Sequence, residues 1–200
     1  MARRCRYTDD DVWSWWDSQV GRVQIMSHII FNTIRGKQTK DTLSDVRVRR
    51  LVLEYMKLGS LTIDPFARDC TLAYPYTNDI DPNTRSVYNM DALDFIELFD
   101  FDWFDMAIMD PPFSNRQDNE VYGNNNLYTN PRKIRDIELA LGNRVRSNGC
   151  VIKFGYNSNF SHRGFELDRI MLVRYGGSIN DMIISVHKKY TRNIRSYKDE

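Results

Sequence analysis

Seven short apolar runs govern what this chain can fold into: 61–64 (LTID), 73–79 (AYPYTND), 86–89 (SVYN), 105–110 (DMAIMD), 150–155 (CVIKFG), 168–176 (DRIMLVRYG) and 181–189 (DMIISVHKK). Helical patterning falls between some of them, over 91–99 and over 131–147, the latter closing on Asn148-Gly149. Strands alternating with helices predict a parallel sheet with helices on its faces. The last two runs differ, because only the GSIN stretch beginning at Gly177 separates them. A parallel crossover needs about a dozen residues or more. These two runs are therefore expected to form an antiparallel hairpin at the end of a mostly parallel α/β sheet.

Upstream, 41–58 reads as a helix: Leu43, Val46, Val48, Leu51, Val52, Tyr55 and Leu58 recur near a 3.6 period, and Gly59 stops it. Residues 9–20 predict a short helix, with Asp9 to Asp11 at the end where carboxylates suit the helix dipole. Residues 22–35 are ambiguous. The chain is thus divided into an N-terminal helical extension over 1–40 and one compact domain over 41–200. The asparagine-rich stretch 114–130 (SNRQDNEVYGNNNLYTN) predicts a long loop, and loops of that length are often functional.

Composition narrows the function classes. A net charge of +1 is not that of a dedicated nucleic-acid coat, although ARRCR, RVRR and HKKYTRNIR are locally basic. No apolar run approaches a membrane span, and the start has no apolar signal core. A cytoplasmic protein without a membrane partner is expected. Cys5, Cys70, Cys150, His28, His162 and His187 follow no metal-ligand spacing, so no metal is expected.

The most informative stretch is FDMAIMDPPF, 104–113. A buried strand ends and Asp110, Pro111, Pro112 and Phe113 follow at once. In an open parallel sheet, ligands sit beyond the carboxyl ends of the strands. The prolines fix two backbone φ angles and hold Asp110 extended, while their carbonyls still accept hydrogen bonds. Phe113 offers a ring for stacking. Acceptors beside a flat face suit a planar group bearing an NH2, such as the exocyclic amine of a nucleobase.

Asp110-Pro111-Pro112-Phe113 resembles the D/N/S-P-P-Y/F/W signature of the amino-group methyltransferases, which act on adenine N6 or cytosine N4. Further stretches are similar to that family in order: LTIDPFARDCT, TNDIDP, NMDALDFI and RVRSNGCVIKFG. DPFAR, FGYNSN and the DPPFS stretch are similar to small bacteriophage adenine methyltransferases. The resemblance covers about 60–190. It implies a Rossmann-like class I methyltransferase fold with seven strands, S-adenosyl-L-methionine as cofactor, and DNA as partner. A phage-encoded chain would work in the host cytoplasm.

The resemblance also implies roles. Asp64, Pro65, Phe66, Ala67 and Arg68 would form the first cofactor turn, with Asp64 meeting the methionine ammonium or merely capping the turn. Asp79, or alternatively Asp81, would take the ribose hydroxyls. Asp91 would accept from the cofactor adenine beside Ala92, cap the following helix, or do both. Asp110 and the Pro111 carbonyl would hold a flipped adenine amine against which Phe113 stacks. No strong base is needed before attack, and the proton would leave to water. Gln117 and Tyr122 would contact nucleic acid from the loop. Lys153 and the FGYNS stretch would line the target pocket.

Two departures stand out. The family's D-P-F-x-G-x-G glycines are here Arg68 and Cys70, and only Pro65 to Ala73 separate the first two strands, so the first crossover helix should shrink to a turn. No separate target-recognition domain remains. Methylation of RNA or another amine, and a non-catalytic nucleic-acid binder on the same fold, stay open.

Overall fold

The computed structural model describes residues 29–36, 41–57, 60–112, 128–176 and 180–190. Among these, six strands form one sheet: β1 (Ile30–Arg35), β2 (Thr62–Ile63), β3 (Phe104–Met109), β4 (Val145–Gly155), β5 (Phe165–Arg174) and β6 (Met182–Lys189), in the order β1-β5-β6-β4-β3-β2. The pairs β1/β5, β2/β3 and β3/β4 are parallel, whereas β6 runs antiparallel to both β4 and β5. Three helices, α1 (Val46–Tyr55), α2 (Ala92–Glu97) and α3 (Pro131–Arg144), accompany it. This is a mixed, Rossmann-like α/β fold.

The period-2 alternation of strands sorts the core into two layers. Met106 and Ile108 of β3, with Cys150, Ile152 and Phe154 of β4, join Val48, Leu51 and Val52 of α1. Ala107, Met109 and Val151 join Phe95 and Ile96 of α2 and Ile137 and Leu141 of α3 on the other face. From Met106 to Met109 no residue is more than 1% exposed, as expected of a strand covered on both sides. Helix α3 starts cleanly because Asn130 accepts from the Arg132 amide at 3.0 Å and Pro131 fills the first turn.

The sheet departs from the sequence reading in two places. Seven strands were expected, but the second and third predicted runs contribute only single parallel bridges, Asp64 to Thr77 and Asn78 to Tyr88. Side chains take over the pairing there: the Asn78 amide donates to the Pro65 and Met90 carbonyls at 3.1 and 3.0 Å. Residues 30–35 belong to the sheet as an edge strand, not to a helical extension over 1–40; the helix read over 9–20 lies outside the described residues. Ile30, Phe31, Thr33 and Ile34 have the β-branched and aromatic bias of a strand, which a short pattern alone does not separate from a helix. Between Asp64 and Thr77 the chain makes turns and no helix, in line with the short first crossover.

Candidate functional site

The carboxyl ends of β2 and β3 lie side by side where the chain reverses its direction of travel across the sheet. Such a switch point is where open α/β sheets bind ligands. Asp64 follows β2 and Asp110 follows β3, and the bridged segments add Asp79 and Asp91 along the same edge.

Three of these acids are built in the same way. The carboxylate of Asp64 accepts from the Phe66 amide at 3.0 Å, that of Asp79 from the Asp81 amide at 2.9 Å, and that of Asp91 from the Leu93 amide at 2.9 Å. Each acid therefore fixes its own turn with one oxygen, which is the local role the sequence allowed for Asp64 and Asp91. A carboxylate has acceptor capacity to spare. Asp64 is only 1% exposed, and burial together with the charges of Asp110 and Asp79 pushes its pKa well up. Asp79 is likewise raised by burial, against the pull of the Arg68 amide and guanidinium. Asp110 is pushed up to about 7 by burial, although the Thr42 hydroxyl bond and Arg68 favour its charged form.

Arg68 stands where a glycine was expected, and its backbone keeps the glycine conformation, with φ at 48°. A side chain in the left-handed region costs about 1–2 kcal/mol. The turn thus retains its shape, while the guanidinium charge favours the ionised forms of Asp79 and Asp110 and its Nε meets Asp41 Oδ1 at 3.4 Å. Cys70, in the other expected glycine position, is half-buried and donates its amide to the Ala67 carbonyl at 2.8 Å. Pro65, Phe66 and Ala67 are buried behind this turn.

Asp91 caps α2 and also binds Lys133 Nζ at 2.5 Å and the Tyr128 hydroxyl at 3.2 Å. Burial raises its pKa, but Lys133, the Leu93 amide and Tyr128 together hold it below the usual range. Tyr128 accepts from the Ala92 amide at 3.0 Å and packs edge-on against Phe66 with centroids 5.1 Å apart. Sequence reasoning placed Tyr128 in a polar loop and passed over Lys133. The signal was a lone aromatic two residues before the Asn130 cap, which is too common to single out.

Beyond Asp110 the chain opens a cavity of about 360 Å3, lined by Pro111, Pro112, Tyr128, Ile134, Glu138, Lys153, Tyr156 and Asn157 among others. By alternation along β4, Lys153 points to the α3 side, where it meets Glu138 at 2.7 Å. Lys153 also donates to Asn157 Oδ1 at 3.2 Å and to the Asn159 carbonyl at 2.6 Å, so all three ammonium protons have acceptors. The second Glu138 oxygen takes the Ser161 amide at 2.9 Å and its hydroxyl. This network ties the loop after β4 to Glu138 of α3 and to Lys153 of β4. Lys153 and residues 154–157 of the FGYNS stretch line this cavity. Phe113, Gln117 and Tyr122 lie outside the described residues.

No family model matches the chain, and no curated protein does. Solved structures do share its fold. It is similar to a putative methyltransferase, yhhF, from Escherichia coli, at 10% identity and a TM-score of 0.50, over 78% of this chain and 91% of that one. It is also similar to the N-methyltransferase NodS from Bradyrhizobium japonicum WM9, at 9% identity and a TM-score of 0.51, over 72% of this chain and 95% of that one. The chain thus has a fold that methyltransferases use. Among the described residues no helix is long and apolar enough to cross a membrane, and no group of His, Cys, Asp and Glu could hold a metal ion.

Proposed function

We propose that this chain is an S-adenosyl-L-methionine-dependent methyltransferase acting on the N6 amine of adenine in DNA. One observation carries the reading: Asp110 follows β3 close enough to Asp64 to couple with its charge, and the two residues that follow it, Pro111 and Pro112, line the cavity. A donor beside the acids and an acceptor base in the cavity would meet near the end of β3.

The donor side fits the cofactor's charges. Asp64, Asp79 and Asp110 converge with Arg68 as the nearby cation acting on Asp79 and Asp110. An ammonium and a sulfonium would relieve that excess of buried negative charge, and Arg68 would take the ligand carboxylate. Asp79 would accept from the ribose hydroxyls, and Asp91 with Ala92 would lie at the cofactor adenine. When bound, S-adenosyl-L-methionine supplies an electrophilic methyl group. The protein's own contribution is to position and to exclude water. Asp110 and the Pro111 carbonyl would accept from the target amine, and a pKa near 7 suits Asp110 to take up the proton the amine must lose.

A nucleic-acid acceptor is favoured by the far end of the same edge. Parallel register sets exposed Arg35 beside exposed Arg174 at the carboxyl ends of β1 and β5. Arg174 is three strands from β3, or about 14 Å. Guanidiniums at that distance suit phosphates a few nucleotides from a flipped base.

The test is methyl-labelled cofactor with purified protein and mixed DNA, followed by nucleoside analysis. Label in N6-methyladenine that disappears in Asp110→Ala supports the reading. Label in RNA or another amine moves the acceptor and keeps the chemistry. No label anywhere makes the chain a non-catalytic protein on this fold.

A further inference from the structure

The network around Lys153 closes on itself except at one group. The Lys153 ammonium donates to Glu138, to Asn157 Oδ1 and to the Asn159 carbonyl, and both Glu138 oxygens are taken, by Lys153 and by Ser161. The side-chain NH2 of Asn157 is left over, without a partner among the described residues, on a residue that lines the cavity. This amide has one allowed orientation. Its Oδ1 meets Lys153 Nζ and the Asn159 amide, each at 3.2 Å, and both of these groups only donate. The reversed amide would set an NH2 against an ammonium and an N–H. The Lys153 anchor therefore decides which end of the exposed Asn157 side chain is offered to a ligand. The neighbouring Asn159 side chain has no such anchor among the described residues.

We propose that Asn157 is a specificity-determining residue, its NH2 donating to the ring nitrogen beside the target amine, N1 or N7 of a flipped adenine. This inference rests on the methyl-transfer reading of the site. Parallel register sets Met109 opposite Lys153, so the chain at Asp110 and the loop carrying Asn157 leave the sheet side by side at the same end. Pro111, Pro112 and Asn157 line one cavity of about 360 Å3. Small-ligand sites span about 300–1,000 Å3, so this one suits a single extruded base. Adenine carries its amine between N1 and N7, both acceptors. An acceptor at Asp110 and a donor at Asn157 match that edge. Thymine has no amine, and guanine shows O6 and N7 on the same edge, which leaves Asp110 with no proton to accept.

The test compares wild type with Asn157→Asp, which keeps an oxygen for Lys153 and Asn159 and replaces the donating NH2 by an acceptor. The substrate is a DNA oligonucleotide with one adenine that wild type methylates, made also with 1-deazaadenine or 7-deazaadenine, where a C–H replaces one ring nitrogen. Dissociation constants in the presence of S-adenosylhomocysteine, and kcat/KM, are measured for each pair. On adenine, Asn157→Asp should bind and turn over about 10–100-fold less well. Its urea midpoint and its affinity for S-adenosylhomocysteine alone should stay as in wild type. Wild type should lose a similar factor on one of the two deaza substrates, and Asn157→Asp should lose nothing more there. Equal performance of the two proteins on adenine, or losses that simply add on both deaza substrates, overturns the proposal. A wild type that methylates no adenine brings down the reading of the site and this proposal with it. An active wild type matched by Asn157→Asp brings down the proposal alone.

Discussion

Lys153 meets Glu138 at 2.7 Å beneath the cavity, with side-chain exposures of 8% and 4%. An ion pair so far from water holds because the remaining protons of Lys153 go to Asn157 and the Asn159 carbonyl and the second oxygen of Glu138 is taken by Ser161. The wall behind Pro111 and Pro112 is therefore set by charge as well as by packing.

Removing one partner should be costly. Lys153→Met leaves Glu138 charged and buried, and Glu138→Leu does the converse, so each should lose about 3–5 kcal/mol. The double change should lose much less than their sum. Urea unfolding of the four proteins gives the coupling directly, and additive losses would show that the pair does not act as a unit.

Asp110→Ala should abolish methyl transfer while S-adenosylhomocysteine still raises the melting temperature. Equal loss of both would show that Asp110 belongs to the cofactor side.

The raised pKa of Asp110 carries a sign for stability. Its folded value of about 7 exceeds the ordinary 3.8, so between these values the folded state holds more proton than the unfolded one. Stability contributed by Asp110 is then lost as pH rises through that window. Asp110→Asn should accordingly stabilise the protein at pH 8 relative to wild type and lose that advantage near pH 4. Thermal melts across this range measure it, and a constant difference would contradict the assignment.

At Arg68, backbone and charge can be separated. Arg68→Gly should be more stable than Arg68→Ala by about 1 kcal/mol, because only glycine occupies φ 48° without strain. Both should bind S-adenosylhomocysteine more weakly than wild type. Chemical denaturation and calorimetric titration report the two effects independently.

Arg35→Ala and Arg174→Ala should each weaken DNA binding irrespective of sequence and reduce the salt dependence by about one phosphate contact. Unchanged slopes would remove this edge from the nucleic-acid surface.

Much of this was legible in the chain. The apolar run 106–109 between Asp105 and Asp110 announced a buried strand, and Asp110-Pro111 marked its end, because burial and proline chemistry act locally. Arg68 was visible as a misfit, although only the backbone shows that the turn keeps the glycine shape. Tyr128 and Lys133 were not legible. Their shared partner Asp91 lies 37 and 42 positions away in the chain, and no spacing rule connects a hydroxyl or an ammonium to a carboxylate across a fold. The single bridges at Thr77 and Tyr88 were read as strands, since apolar pattern alone does not reveal that Asn78 has claimed the neighbouring carbonyls.

The strand β1 lies early in the chain and pairs with β5, with Ile30 set opposite Arg169. During synthesis this edge must wait until nearly the whole sheet has emerged, which makes it the contact of highest loop-closure cost and a late event in folding. Until it docks, β5 presents an open ladder of amides and carbonyls to any neighbouring chain. Shortening the chain to begin after residue 36 would move the edge of the sheet inward by one strand, from β1 to the longer β5.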